Sequence, residues 1–448
     1  MFRRQTLKPY MLLCLLLVFC MTLSYGQTQW SLEKCIEYAQ QNNLTIKQSE
    51  IAIQQSSLTL EQSKKARYPN LSGGMNYGYN VGRSINPITN EFVTNDINTN
   101  GFNLSVNAQL YSGGSISKNI QKNQMDMSSA KLDLDQSKQD IGLSVANAYL
   151  QILLSIEQLK NAENQLVQSK NQLEQTNRLI AAGSLPEGEK YTLEAQIARD
   201  EQSVISSQNS VDLNYINLKI LLQLDPYTKF EIEQPDIAVP APENLELISM
   251  ESIFKRSEAF QPNIRSGEIK KQSAELGVDI AKAGMRPSVS VFGSTGTNYS
   301  SLSFNDAGYF AQLEENLNGS VGLNVNIPIY DRGQTKTNIE QARLGVIRQN
   351  IANQQLRQNL KSDIQQAYAN ALAAAKQFRA ARITVEANEK AFEITEKRFK
   401  VGVSNSFEYT TAQDNLNAAR FNLSIAKYDY LFKLKVLDFY QGKKISIK

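Results

Sequence analysis

The chain has 448 residues, a formal net charge of +3 and no histidine. The lack of histidine excludes histidine-dependent catalysis and Cys/His zinc sites, and three cysteines give no disulfide framework. The sequence has no nucleophile motif and no phosphate-binding glycine loop, so we expect no enzymatic activity, no cofactor and no bound metal. The small net charge gives no indication of nucleic-acid binding.

Residues 1–26 have the pattern of a secretory signal peptide. A basic segment with Arg3 and Arg4 precedes an apolar run from Met11 to Leu23, and small residues precede the cleavage position. The run is too short for a transmembrane helix. Cys20 fits a lipidation signal only poorly, because a bulky phenylalanine precedes it. We therefore predict that the protein is exported and that residues 1–26 are removed.

The exported part begins with a fixed series of elements. Apolar spacing and proline positions predict two helices, two strands joined by a polar loop, a very long helix, a glycine break and a return helix. In this first half, residues 27–225, we place these elements at about 31–41, 44–66, 71–82, 101–111, 115–182 and 185–223.

A proline-rich connector, residues 226–248, leads to a second half that repeats the first. The second half, residues 249–440, has strands predicted at about 288–299 and 318–330, a long helix at 334–400 and a return helix at 405–440, before a tail at 441–448. Identical residues recur at an offset of 218 or 219 positions, including the pairs Glu33/Glu251, Pro69/Pro287, Tyr111/Tyr330, Gly114/Gly333 and Gly183/Gly402. The repeat predicts an internal duplication.

The predicted strands alternate with period two. From Phe102 to Leu110 every second residue is apolar, and from Val321 to Ile329 the same holds, while the residues between are small or polar. Segments of about ten such residues are typical of transmembrane β-barrel strands. A soluble four-stranded sheet with one solvent-exposed face has the same pattern.

Four strands are too few to close a membrane barrel, which needs about eight, and an open sheet edge is not tolerated in lipid. We therefore expect the chain to oligomerise. Three copies would give twelve strands and four copies sixteen.

The two long helices are far longer than those of ordinary globular proteins. Residues 115–182 would extend roughly 100 Å as one helix. Apolar residues recur at three- and four-residue steps, which favours lateral coiled-coil packing. The Gln, Asn and Ser residues between them fit either a solvated helix face or the wall of a water-filled tube.

Together these features resemble the TolC-like outer-membrane efflux protein family. The resemblance extends from about Trp30 to Lys444 and rests on the order and spacing of several motifs rather than on any one of them. These are "RYPNLSGG" and "MRPSVSVFG" before the strands, "QLYSGG" and "PIYDRG" after them, and "RFKVGVSNSFEYTTAQDNL" at the second break. The barrel–helix junction residues in these motifs are Pro69, Tyr111, Gly114, Pro287, Tyr330 and Gly333.

The resemblance implies an α+β membrane protein, a trimeric channel with a 12-stranded outer-membrane β-barrel continuous with a long periplasmic α-helical barrel. The connector and the C-terminal tail would form an equatorial region. The implied function is passive export across the outer membrane of a Gram-negative bacterium, in an efflux or a type I secretion system. The implied partners are outer-membrane lipid, a periplasmic adaptor (membrane fusion protein) and an inner-membrane RND, ABC or MFS transporter.

The resemblance also places the periplasmic pore tip at the two glycine breaks. It assigns acidic pore positions to Glu189, Glu408 and Thr411, of which Thr411 has lost the acid. The hairpin turns are expected to contact the adaptor, and their residues include Gly183, Ser184, Pro186, Gly402 and Asn405. The tyrosine and arginine that latch the tip in the family are replaced by Phe399 and Ser404, so that latch is absent.

Two alternatives stay open. The acidic residues at the breaks also fit simple helix capping, since Ser184 with Glu187 and Asn405 with Glu408 have the spacing of a capping box. For the whole chain, a periplasmic coiled-coil adaptor or scaffold would share the long helices and the signal peptide. Such a protein would not need four alternating strands.

Overall fold

A computed structural model describes residues 29–85, 90–94, 96–235, 249–302, 307–443 and 446. The predicted signal peptide, the lipidation position Cys20 and residues 236–248 of the connector lie outside the described residues.

All but one of the helices in the described residues recur in matched pairs along the chain. They are α1 Leu32–Asn42, α2 Leu44–Lys65, α3 Ser115–Ala181, α4 Gly188–Leu222, α5 Met250–Phe260, α6 Pro262–Ala283, α7 Tyr309–Glu315, α8 Gln334–Lys400 and α9 Ser406–Tyr440. α1 and α5 each have 11 residues, α2 and α6 each 22, α3 and α8 each 67, and α4 and α9 each 35. No helix in the described ranges combines the length and the apolar character that crossing a membrane requires.

Four strands form one antiparallel sheet. They are among the six strands of the described residues, which are β1 Asn70–Asn80, β2 Arg83–Ile85, β3 Phe92–Thr94, β4 Ile97–Ser112, β5 Ser288–Ser300 and β6 Asn318–Asn326. The sheet has the order β1-β4-β5-β6, and β2 and β3 form a separate hairpin. The β4–β5 register shifts between Gln109 and Tyr111, as at a β-bulge.

The strands differ from the predicted bounds at two places. β6 ends at Asn326, so the predicted extension to residue 330 is wrong, because Pro328 has no N–H to continue a ladder. β4 begins at Ile97, four residues before its predicted start, and pairs this added length with β1 and β5. The short elements β2, β3 and α7 lie in the polar loops between strands and were not predicted.

The alternation predicted for the strands appears as two distinct sheet faces. The register places Phe102 opposite Met75 and Val106 opposite Leu71, so these apolar side chains share one face. On the other face Ser72 lies opposite Ser105, and their hydroxyl oxygens are 2.8 Å apart. Many side chains of the apolar face are exposed, and Val321 is 85% exposed.

The chain divides into two compact units. Of the described residues, the first unit comprises those up to 48, those within 135–261 and those from 358 on, and the second comprises those within 49–134 and 262–357. The sheet belongs to the second unit, and the two breaks after α3 and α8 belong to the first.

The first unit has its hydrophobic core around α1. Leu32, Cys35 and Ala39 occupy one face of α1 and are buried. They share the cluster with residues of α3, α4, α9 and the connector: Val145, Ala146, Tyr149, Leu150, Ile152, Leu153, Leu218, Leu222, Phe230, Ile232 and Leu431. The Tyr149 hydroxyl lies 2.6 Å from the Glu233 carbonyl oxygen, which ties the described part of the connector to this core.

The second unit packs its helices through small and polar side chains. Asp133 on α3 accepts hydrogen bonds from the Ser266 hydroxyl at 2.6 Å and from Lys270 Nζ at 2.9 Å, both on α6. The Asn353 amide on α8 donates to the Gly267 carbonyl at 3.0 Å, where a Cβ on Gly267 would lie 2.6 Å from Asn353 Oδ1. Glycine therefore permits close helix contact at this point.

Candidate functional site: the two hairpin turns

Each long helix ends in a turn that a glycine makes left-handed. Gly183 follows α3 with φ of 73°, and Gly402 follows α8 with φ of 76°. In both turns the residue after the glycine donates its N–H to a carbonyl five positions earlier, at 2.8 Å in the first turn and 2.9 Å in the second. This is the Schellman arrangement, in which glycine has no Cβ penalty. Each predicted glycine break is therefore a left-handed helix cap.

The second turn is capped by its own side chains. Asn405 Oδ1 accepts from the Glu408 N–H at 2.8 Å at the start of α9. The Glu408 carboxylate accepts from the hydroxyl of Ser404, which is buried. Asn405 is therefore a true N-cap, and Glu408 bonds to the Ser404 hydroxyl rather than back to the Asn405 N–H. Thr411 is exposed near the start of the same helix.

The first turn lacks such a cap. α4 begins at Gly188, and its N-cap residue Glu187 has helical φ and ψ of −61° and −28° and makes no side-chain capping bond. The capping box expected between Ser184 and Glu187 is wrong, because the helix starts after Glu187 rather than after Ser184. Pro186 precedes the helix, and its carbonyl accepts from the Glu189 N–H at 3.2 Å.

The Glu189 carboxylate joins the two turns. Its Oε2 accepts from the Ser406 N–H at 3.0 Å, and Ser406 is the fully buried first residue of α9. The free N–H groups at a helix start carry partial positive charge, so a carboxylate is stabilised there. The structure thereby brings Glu189 to the same helix start that carries Glu408.

Three aromatic rings pack beside the second turn. Tyr409 is buried, and its ring centroid lies 5.2 Å from that of Phe399 and 5.4 Å from that of Phe392. Burial, and then the charge of Glu396, raises the pKa of Tyr409 to about 12, so its hydroxyl stays neutral. Phe399 and Ser404 thus both make contacts within the second hairpin.

A polar cavity of about 300 Å³ lies between α3, α4 and α9. Asp200 is buried there and accepts from the Ser169 hydroxyl at 2.5 Å and from Gln196 Nε2 at 3.0 Å. The same Gln196 nitrogen donates to Asp414 Oδ1 at 3.1 Å, so one amide links carboxylates of α4 and α9.

The environment of this cavity shifts one of its carboxyl groups. Burial, and then the charge of Asp200, raises the pKa of Asp414, while the Arg199 charge and the Gln196 hydrogen bond oppose the rise. Within the described ranges, no group of three or more Cys, Asp or Glu side chains is placed to hold a metal ion.

These contacts across the hairpins were not predicted from the sequence, although the repeat contains a signal for them. Glu189 and Ser406 are 217 positions apart, and Gln196 and Asp414 are 218 positions apart. Both separations are close to the repeat offset. Residues at equivalent positions of the two return helices therefore face each other, and pairing polar residues at that offset would have found them.

The predicted junction residues lie at the ends of the strands in the second unit. Pro69 and Pro287 directly precede β1 and β5, Tyr111 lies at the register shift of β4, and Tyr330 lies beyond the end of β6. Gly114 and Gly333 precede α3 and α8 with φ of 91° and 83°.

Gly113, between Ser112 and Gly114, was not predicted as a junction residue from the sequence. Its φ is 66°, and a Cβ there would lie 2.5 Å from the Ala283 carbonyl oxygen. Arg286 Nη1 donates to the Gly113 carbonyl at 3.0 Å. A side chain at residue 113 would therefore push the helix–strand junction apart.

The family model for outer membrane efflux proteins matches two stretches of the chain, residues 35–223 and 255–443. The chain belongs to this family. Each matched stretch contains one of the glycine turns, so both turns lie within the regions that define the chain as an outer membrane efflux protein.

Two curated relatives match parts of the chain. Outer membrane protein TolC of Vibrio cholerae is 29% identical over 197 residues, which are 43% of this chain and 43% of that protein. Alkaline protease secretion protein AprF of Pseudomonas aeruginosa is 26% identical over 185 residues, 41% of this chain and 37% of that protein. The matched stretches span less than half the length of either relative.

The fold is shared with solved outer membrane channels. The crystal structure of the CmeC outer membrane channel of Campylobacter jejuni has a TM-score of 0.73 and 17% identity, and the match covers 95% of this chain and 91% of that one. At that identity the likeness shows the fold alone.

Proposed function

We propose that this protein is a passive outer-membrane export channel of a Gram-negative bacterium, with a long periplasmic extension and no chemistry of its own. The observation that carries the proposal is the four-stranded sheet of a chain in this family. Its apolar face is exposed, and its edge strands are β1 and β6. A sheet that places such a face in lipid must close its edges.

The edges are closed by neighbouring copies. β6 of one copy pairs with β1 of the next, which is a head-to-tail interface that forms a ring when the rotation closes. Three copies give a barrel of twelve strands, and the trimer is the number that the family resemblance favours. The long helices α3 and α8 and the return helices α4 and α9 form the wall of the periplasmic duct.

The partners follow from the same proposal. A periplasmic adaptor (membrane fusion protein) engages the hairpin turns, and an inner-membrane RND, ABC or MFS transporter supplies the energy. One relative has protease secretion in its name, and the matching family model describes efflux proteins, so both a tripartite efflux system and a type I secretion system are supported. The acids Glu189 and Glu408, three of each in a trimer, line the periplasmic tip of the pore and attract cations.

The proposal is tested on protein extracted from outer membranes. We expect extraction to require detergent, native mass spectrometry to give the mass of three chains, and the trimer to produce stepwise ion conductance in a planar bilayer. A monomer that stays soluble without detergent and gives no conductance would contradict the channel and would favour the periplasmic scaffold instead.

A further inference from the structure

One face of the sheet carries small and polar side chains, none of them charged. The four strands contain no Asp, Glu, Lys or Arg. The register aligns one serine from each strand in a row across the whole sheet, Ser72, Ser105, Ser294 and Ser320. In the closed barrel of the proposed function, on which this inference rests, this face lines the exit.

Long side chains on this face lie flat against the sheet, over glycines. Asn103 Oδ1 is 2.5 Å from where a Cβ on Gly74 would stand, and Asn76 Oδ1 is 2.5 Å from the corresponding position on Gly101. The missing Cβ atoms leave room for the amides to fold down onto the neighbouring strand. The arrangement keeps the exit wide.

Phe292 is the only exposed apolar side chain on this face of the four strands. It lies on the same face, in a row with Asn70, Asn107 and Gly322. A Cβ on Gly322 would stand 2.6 Å from Phe292 Cζ and 2.8 Å from its Cε1. The ring therefore lies across Gly322, and it remains 39% exposed on this face.

We infer that Phe292 contacts the cargo in an exit whose wall is uncharged, and that Gly322 lets its ring lie against this wall. Each trimer then presents three flat aromatic rings on a polar, uncharged surface. Apolar or aromatic parts of a cargo stack on these rings. Because the surrounding strands carry no charge, cations and anions of the same shape pass this region equally well.

Two substitutions move the ring in opposite ways. Phe292→Ala removes it, so the exit widens and the unitary conductance rises. Gly322→Ala places a methyl group under the far end of the Phe292 ring, which can tilt away from the sheet. The tilted ring reaches into the lumen, so the conductance falls. Val321→Ala is the matched control, because Val321 is the neighbour of Gly322 on the opposite face and should leave the conductance unchanged.

Cargo contact is read from current block by two flat aromatic ions of opposite charge, naphthalenesulfonate and naphthyltrimethylammonium, added on the sheet side of the channel. In the wild type both ions give block events, and Phe292→Ala shortens the event duration by about threefold to tenfold for each. Tetraethylammonium, which has no ring, should show no change between the two proteins.

The outcomes separate the two proposals. A conducting trimer in which Phe292→Ala and Gly322→Ala both behave as wild type, or in which Phe292→Ala alters the block by only one sign of ion, would overturn this inference and leave the channel standing. A wild-type protein without conductance would overturn the proposed function and this inference with it.

Discussion

The two hairpin turns begin with the same left-handed glycine but differ in packing and in how the next helix starts. Both follow a helix of 67 residues, both use a left-handed glycine, and both lead into a helix of 35 residues. In the second turn Ser404, Ser406 and Tyr409 are buried, whereas Ser184 and Glu187 of the first turn are exposed. A repeated sequence pattern thus fixes where the chain turns, but the surrounding side chains decide how firmly each turn is held.

One pair of tyrosines shows the difference directly. Tyr191 is the fourth residue of α4 and Tyr409 the fourth residue of α9. Tyr191 is 62% exposed, while Tyr409 is 4% exposed and packs on Phe392 and Phe399. The same residue type at the same helix position is a surface residue in one hairpin and a core residue in the other.

The largest expected effect comes from truncating these tyrosines. Tyr409→Ala should lower the local stability of the second hairpin by about 3–5 kcal/mol, as for a buried aromatic residue. Tyr191→Ala, the matched control, should change it by less than about 0.5 kcal/mol. Native-state hydrogen exchange of the hairpin amides measures both. Equal effects of the two variants would refute the difference in packing.

A smaller effect is expected from removing the N-cap. Asn405→Ala loses the bond from the Glu408 N–H and should destabilise the first turn of α9 by about 1 kcal/mol. Glu187→Ala removes an N-cap side chain that makes no capping bond, so α4 should be almost unaffected. Exchange rates of the first-turn amides of each helix provide the measurement. A Glu187→Ala effect as large as that of Asn405→Ala would contradict the assignment.

A still smaller effect is expected from removing the charge of Glu189, whose carboxylate links the two turns. Glu189→Gln keeps an acceptor for the Ser406 N–H but loses the charge at the helix start, which should cost about 0.3–1 kcal/mol at low salt. The Ser406 amide should exchange faster in the variant, and the difference should shrink as salt is added. Glu187→Gln serves as the control and should not alter Ser406. An unchanged Ser406 rate in Glu189→Gln would show that the carboxylate charge does not hold the turns together.

The smallest effect concerns pH at the cavity between the hairpins. A carboxyl group whose pKa is higher in the folded protein binds more protons when folded, over the range between its two pKa values. The raised pKa of Asp414 therefore makes hairpin packing most stable below the ordinary aspartate value of 3.8 and less stable as the pH rises through the folded value.

The effect is small because Asp414 keeps contact with water at the cavity, among Asp200, Arg199 and Arg420. Asp414→Asn should flatten this pH dependence. Asp212→Asn, an exposed aspartate on the same hairpin pair, should leave it parallel to wild type. The measurement is amide exchange of the nearby α9 turns, corrected for intrinsic rates. A slope that Asp414→Asn does not change would assign the pH dependence to another group.

The sequence predicted the parts of this fold that depend on apolar periodicity and on residues that end helices and strands. The helix pairs, the four alternating strands and the glycine turns follow from apolar spacing, prolines and glycines, which act locally. The strand end at Asn326 was missed because the alternation continues past Pro328, while the ladder does not.

The contacts at the candidate site are of another kind. Ser404 and Glu408 are four positions apart and bond within one turn. The pairs Glu189 with Ser406 and Gln196 with Asp414 depend on which helix faces come together, and no local pattern encodes that. The repeat offset narrows the choice of partners for the last two pairs. Only the packed helices show that one turn is buried and the other is not.

We propose above all that the two turns form the tip of a pore whose acids attract cations. The direct test is the cation-to-anion permeability ratio of single channels formed by the wild type and by the double variant Glu189→Ala/Glu408→Ala. Glu386→Ala, which removes an exposed carboxylate from α8 well before its end, is the control. We predict a cation-selective wild type, an unchanged control and a double variant that loses most of its selectivity. An unchanged permeability ratio in the double variant would contradict this proposal. The two glutamates would then act only in contacts at the start of α9.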